Sequence, residues 1–225
     1  MQPDIGYYRI NFQFTDLLFE LEPNHYALGI FGEIVHIDDS PAVHGEPESA
    51  KVGYTSAYYL PAYDAIEGGV SVFEMYDATS SELEECYAAL FDGNELKEDV
   101  VDGQFDGDVM TKDVLYLARI EILPAHRGRN LGLAVTRRMI ERFGPATGLV
   151  AMIPFPLRSS QLQQSAEEME MDEFDQDHER SQKKLENYYS RLGFERVGDT
   201  RVFALTTAYR IPSLGDISPA LQGGN

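Results

Sequence analysis

Between Val114 and Phe143 the chain writes a strand, a stop, a basic turn and a helix in immediate succession, and this unit constrains the fold more than any other stretch. Val114-Leu115-Tyr116-Leu117-Ala118-Arg119-Ile120-Glu121-Ile122-Leu123 has the aliphatic and aromatic content of a largely buried strand. Pro124 ends it, because proline lacks the N–H that would continue a ladder. The turn Ala125–Arg129 follows, and a helix is predicted from about Asn130 to Phe143. Its apolar Leu131, Val135, Met139 and Phe143 recur every four residues, and Gly144-Pro145 closes it. A strand that runs straight into a helix brings unpaired N–H groups and the positive end of the helix dipole to one place, which makes an anion site. Gly128 and Gly132 would let a pyrophosphate approach the main chain. Arg127 and Arg129 add positive charge there, in a chain with 18 basic residues against 38 acidic ones.

The rest of the chain reads as one mixed α/β domain without internal repeats or an inter-domain linker. Period-two alternation at Tyr8–Phe14, the apolar run Tyr26–Val35 and the tyrosine-rich Lys51–Leu60 predict three strands before any helix. Ser71–Phe91 is helical in pattern, with Ser80 as an N-cap and Leu83, Tyr87 and Leu90 at helical spacing. Asp92–Lys112 is acidic, bears glycine and has no period, so it is expected to be a surface loop. Gly148–Pro154 is the next strand. Asp172–Leu192 is expected to be a longer helix with Phe174, His178, Ser181, Leu185, Tyr188 and Leu192 along one stripe, and Val202–Tyr209 a last strand.

Two segments carry a family resemblance. Arg127-Gly128-Arg129-Asn130-Leu131-Gly132, placed after Ile120-Glu121-Ile122-Leu123-Pro124, resembles the acetyl-CoA signature of the GCN5-related N-acetyltransferase (GNAT) family. That signature reads Arg/Gln-x-x-Gly-x-Gly/Ala after a strand of the form apolar-x-apolar-x-Pro. Further on, Tyr188-Tyr189-Ser190-Arg191-Leu192-Gly193-Phe194 is similar to the family's Tyr-x-x-x-Gly-Phe motif. The resemblance spans Val114–Tyr209. It departs from the family at Asn130, where the first glycine usually stands, and at Gln182, where an Asn is common. The paired helices of the family usually follow its first strand, whereas here the strands come first.

The resemblance implies an α+β fold, a central mostly antiparallel mixed sheet flanked by helices, of the GNAT-like acyl-CoA N-acyltransferase type. Residues 1–225 then form one domain, with 1–112 a divergent N-terminal half, 113–210 the acetyl-CoA-binding half and 211–225 a polar tail. Acetyl-CoA is the implied cosubstrate. The backbone of Ile120 and Ile122 is expected to pair with its pantetheine arm, and Arg127, Gly128, Arg129, Asn130, Leu131, Gly132 and Leu133 to form the phosphate cradle. Tyr189 is the implied general acid for the departing thiolate. Glu121 interrupts an apolar strand, with Ile120 and Ile122 pointing to the opposite face. A partly desolvated carboxylate there has its pKa pushed towards values useful for a general base; an ordinary strand residue paired with Arg119 is the competing reading.

Other signals limit the choices. A formal net charge of −20 repels nucleic acid and anionic membrane and permits a cationic amine acceptor. The acidic run Glu167–Asp177 borders the acceptor groove if the resemblance holds, or is a solvated face if it does not. Lone Cys86 cannot form an internal disulfide, which suits a reducing compartment, and it is read as a core residue. The start Met1-Gln2-Pro3-Asp4 lacks the marks of a signal peptide, and no run is long and apolar enough for a membrane span, so a cytoplasmic protein is expected. The histidines show no metal-ligand spacing and no metal is expected. The Gly-x-Ser-x-Gly elbow of a hydrolase, the phosphate loop of nucleotide-binding proteins and Gly-x-Gly-x-x-Gly are all absent. A non-catalytic acetyl-CoA-binding or acidic interaction module on the same fold stays open, as does a homodimer formed through sheet edges or helices.

Overall fold

Alternation of exposed and half-buried side chains along Tyr7–Phe14 (β1) marks an edge strand, and it pairs antiparallel with Leu28–Ile37 (β2). In turn β2 pairs antiparallel with Ser49–Leu60 (β3), and β3 with Val114–Ile122 (β6). The computed structural model describes residues 7–19, 22–37, 49–155 and 178–213. The sheet then crosses a parallel pair, from β6 to Leu149–Met152 (β7), and ends antiparallel with Phe203–Thr206 (β9) and Glu195–Arg196 (β8). The result is a seven-stranded, mostly antiparallel sheet in the order β1-β2-β3-β6-β7-β9-β8. Two short strands, Phe91–Asp92 (β4) and Glu95–Leu96 (β5), form a separate hairpin.

One face of the sheet carries three helices inserted between β3 and β6: Ala62–Glu67 (α1), Val72–Asp77 (α2) and Ser81–Leu90 (α3). Their buried Ala65, Met75, Tyr76, Leu83 and Leu90 pack with Leu60, Val114, Tyr116, Leu149 and Ala151 of the sheet. The other face is covered by Leu131–Phe143 (α4) and His178–Ser190 (α5), where Leu133, Met139 and Ile140 meet Ile30, Ile34, Leu115, Leu117 and Val150. The fold is therefore a mixed α+β sandwich of helices, sheet and helices.

Local chemistry explains the helix starts. Ser71 caps α2 through a reciprocal pair, its hydroxyl accepting from Glu74 N–H at 3.2 Å and its own N–H donating to the Glu74 carboxylate at 2.9 Å. Ser80 accepts from Leu83 N–H at the head of α3, as its position predicts. The single helical stretch expected over 71–91 is broken in two, since each serine begins its own helix. The loop expected over 92–112 holds more structure than its lack of period suggests: the β4–β5 hairpin and a π-helical turn at Asp99–Gln104, with Val100 and Phe105 buried. Those two anchors are too sparse to leave a period. The portion of the expected last helix before His178, together with the run 167–177, lies outside the described residues, and β9 stops at Thr206.

Candidate functional site

β6 pairs with β3 along its length, and the ladder contains one irregularity. Ser56 lies opposite Arg119 and Ala57 opposite Leu117, which leaves Ala118 as a bulge. A bulge reverses the side-chain alternation beyond it. Leu115 and Leu117 before it, and Ile120 and Ile122 after it, therefore all pack on the α4–α5 face. Arg119 and Glu121 are turned to the α1–α3 face. On its other side, β6 pairs with β7 only at Val114, Leu115 and Tyr116. Beyond Tyr116 the parallel strands part, with β7 ending at Met152 just before Pro154. Leu123 N–H donates to Val52 O of β3 at 2.8 Å, so alternation directs the main-chain groups of Ile122 and Ile120 away from β3 and into this open seam.

The seam ends at the basic turn. Pro124–His126 makes one 3-10 turn, Gly128 takes φ +75° and Asn130, the residue before α4, takes φ +57°. Both angles are left-handed, where glycine and asparagine are the residues that sit with least strain. The asparagine at the family's glycine position thus adopts a geometry open to it, and its Oδ1 accepts from Arg191 Nη1 at 3.3 Å. The N–H groups of Gly128, Arg129, Leu131 and Gly132 make no hydrogen bond among the described residues. Leu133 N–H donates to the Tyr188 hydroxyl at 3.0 Å, and a Cβ at Gly132 would stand 3.0 Å from that same oxygen. Gly132 therefore gives room to Tyr188 as well as to any approaching phosphate. Arg127 Nε donates to Ile122 O at 2.7 Å, which pins the turn to the end of β6. Arg129 is exposed.

Glu121 is 3% exposed. Arg119 Nε lies 3.1 Å from its Oε1, yet out of line for a hydrogen bond, so that oxygen has no hydrogen-bond partner among the described residues. Burial pushes the Glu121 carboxyl above the usual carboxylate range, and the Arg119 and Arg127 guanidinium groups pull it back only in part. Tyr189 sits on α5, on the opposite face of the sheet. Its ring meets Tyr188 edge-on at 5.3 Å and Phe194 at 6.4 Å, and burial raises its phenol well above the ordinary tyrosine value. The phenol makes no hydrogen bond among the described residues.

Ile120 and Ile122 thus lie along the edge of the seam and residues 127–133 at its end, while Tyr189 belongs to the α4–α5 face and Glu121 to the other. Tyr188 escaped the sequence reading as a site residue, because its neighbour carries the motif spacing and nothing local signals a contact with Leu133 N–H, 55 positions away. Gln182, at the family's asparagine position, donates to Glu186 one helical turn on. Among the described residues no cluster of three or more metal-ligating side chains exists, and no helix is long and apolar enough to cross a membrane.

No protein-family model matches the chain, and no curated protein matches it in sequence. Two solved structures are similar in shape. A KacTA–DNA complex shares 12% identity over 81% of this chain and 69% of that one, with a TM-score of 0.36. Arabidopsis thaliana NAA60 in complex with a bisubstrate analogue shares 11% identity over 80% of this chain and 76% of that one, with a TM-score of 0.34. At these scores the likeness bears on overall shape alone, and the chemistry has to be read from the seam itself.

Proposed function

We propose that this chain is an N-acetyltransferase that takes an acetyl group from acetyl-CoA and passes it to a primary amine. One observation carries the reading: a half-unpaired central strand whose free edge leads straight into a turn of unpartnered amides. A pantetheine arm carries amide groups and is extended, so it can complete the open edge at Ile120 and at the Ile122 N–H as an added strand would, the Ile122 carbonyl being held by Arg127. At the end of that edge the N–H groups of Gly128, Arg129, Leu131 and Gly132 suit a pyrophosphate. The surrounding charge fits too: α4 and α5 carry six lysines and arginines against three glutamates, with Arg137 and Arg138 paired to Glu141, and Arg129 stands on the turn.

The acceptor is proposed to be cationic and to approach from the α1–α3 face. Residues 52–96, which include all three of those helices, hold nine acidic residues and no lysine or arginine. Such an amine has a pKa near ~10.4 and is mostly protonated at neutral pH, so it must lose a proton before it attacks. Glu121, on that face and with a raised carboxyl pKa, is suited to take it directly or through water. The amine nitrogen then bonds to the thioester carbonyl carbon and the carbon–sulfur bond breaks. Tyr189, on the opposite face, gives its proton to the departing sulfur. Main-chain N–H groups along the seam are placed to stabilise the oxygen that becomes negative.

Calorimetric titration with acetyl-CoA, CoA, ATP and NAD tests the cofactor, and thiol release with a panel of polyamines and basic peptides tests the reaction. Binding of the CoA species alone, with thiol release on a cationic amine, is the expected result. Binding without release on any amine would leave a non-catalytic acetyl-CoA-binding module. No binding by folded protein would remove the reading.

A further inference from the structure

At the far side of the basic turn a second group of side chains meets. Register places Tyr8 of β1 opposite His36 of β2, and their rings lie 5.0 Å apart. The turn brings His126 onto the same spot, with ring separations of 5.9 Å to Tyr8 and 5.6 Å to His36. Tyr8 and His126 share a hydrogen bond of 3.0 Å between the phenol and Nδ1. When Tyr8 donates to Nδ1, the neutral imidazole carries its hydrogen on Nε2 and is a donor there. All three side chains are half-buried. His126 Nε2 and both His36 nitrogens make no hydrogen bond among the described residues, and no carboxylate there pairs with either ring. That is unexpected in a chain of 38 acidic residues, where a stray histidine would readily find one. Burial first, then His36 and Arg129, hold His126 below the ordinary histidine value, and no carboxylate among the described residues pairs with it.

We infer that His36 and His126, on the flank of the pyrophosphate cradle beside its Arg129, form a binding site for a phosphate monoester dianion. Two imidazoles supply N–H donors and Arg129 adds a guanidinium charge beside them, a set that suits a terminal phosphate better than a phosphodiester. Its position on the flank of the turn means that one ligand can engage cradle and cluster together. If the proposed cofactor is right, the group bound is the ribose phosphate of CoA; inorganic phosphate is the other source of the same chemistry. The subsite rests on the acetyl-CoA reading only for that choice of source.

The test compares CoA with dephospho-CoA, which lacks the ribose phosphate, by calorimetry on the wild type, on the double variant His36→Gln with His126→Gln, and on Arg129→Gln. Inorganic phosphate is titrated alongside, followed by the imidazole C–H resonances. We expect CoA to bind about tenfold more tightly than dephospho-CoA, as a half-exposed charge-assisted contact would give. The double variant should lose that preference while keeping its affinity for dephospho-CoA. Arg129→Gln, at an exposed position, should reduce the preference and guards against a double variant that fails to fold. A preference that survives in both variants, or equal binding of the two ligands with no response to phosphate, would overturn the subsite and leave the cofactor reading standing. Imidazole shifts on phosphate addition without any CoA preference would assign the site to free phosphate. If neither CoA species binds, the cofactor reading falls, and the phosphate titration decides the site alone.

Discussion

Replacing Glu121 by glutamine should make the protein more stable at neutral pH and less active, a combination expected of a functional carboxylate. The side chain is 2% exposed, and its Oε1 has no hydrogen-bond partner among the described residues. Burying a charged oxygen without a hydrogen bond costs more than burying the neutral amide of the same shape, by about 1–3 kcal/mol. Against this stands the contact with Arg119 Nε at 3.1 Å. The Arg119 side chain is 36% exposed, so it can return to water when its partner is lost, and such pairs contribute ~0–1 kcal/mol. Removing the charge while keeping the shape should then yield a net gain of roughly 1 kcal/mol. In a chain of this size that corresponds to about 2–4 °C in the melting midpoint.

The pH dependence separates the causes. Burial raises the Glu121 carboxyl, so folding favours its protonated form. The stabilisation from that form is complete below the unfolded value of ~4.3, and it is lost as the pH rises through the higher folded-state value. Glutamine has no such titration. The two proteins should therefore melt alike near pH 4 and diverge, glutamine higher, as the pH approaches 7. Thermal unfolding by calorimetry from pH 4 to 8 reads this directly, and a thiol-release assay should show turnover lowered by about 10²–10⁴-fold, the usual worth of a general base. A glutamine variant less stable than wild type by more than ~1 kcal/mol at neutral pH, by an amount that does not change with pH, would refute the reasoning. Glu121 would then be a structural partner of Arg119.

Three further outcomes are expected. Tyr189→Phe should reduce turnover at least tenfold with acetyl-CoA affinity nearly unchanged, since the phenol makes no hydrogen bond among the described residues for the fold to lose; a large loss of affinity in calorimetry would count against its role as acid. Gly132→Glu should abolish CoA binding in a folded protein, because its Cβ would already stand 3.0 Å from the Tyr188 hydroxyl and its carboxylate would bring negative charge to the cradle; retained binding would show that the cradle is misplaced. Cys86 is buried among α2 and α3 residues with its thiol pushed up by desolvation, so a thiol reagent should react only after unfolding, and fast labelling of the native protein would contradict the packing of α3.

What the sequence made legible is local. The unit running from β6 through the turn to α4 could be read because Pro124, Gly128 and Asn130 each act on their own neighbourhood, and α4 keeps its four-residue spacing throughout. Ser80 was readable as a cap for the same reason. The features that decide the geometry of the site depend on distant partners. The bulge at Ala118 exists only in the pairing with β3, and no residue type at 118 announces it. Tyr188 reaches Leu133 from another helix. The Tyr8–His36–His126 group needs the β1–β2 register and the fold of the turn before its members meet. Glu121 was recognisable as a partly desolvated interruption in an apolar strand, but the out-of-line contact that leaves its Oε1 without a hydrogen bond among the described residues was not.

That bulge also gives the charge distribution its meaning. Without it, Glu121 would share a face with Leu115 and Leu117 and lie under α4 and α5, where its carboxylate would compete with a polyanion for their cations. With it, the carboxylate is turned to the layer formed by α1, α2 and α3, which has acidic residues and no basic ones. The two helical layers stand on either side of a sheet, each packed at about 8–10 Å, so their charges are separated by roughly twice that distance. At physiological ionic strength the screening length is ~8 Å. Each layer therefore acts on what approaches its own face, and the two fields do not cancel. A polyanionic ligand on one side and a cation on the other can both be attracted by a protein whose overall charge is −20. The seam between β6 and β7 is where the sheet separating the two faces is open, and it is the place where a group could pass from one to the other.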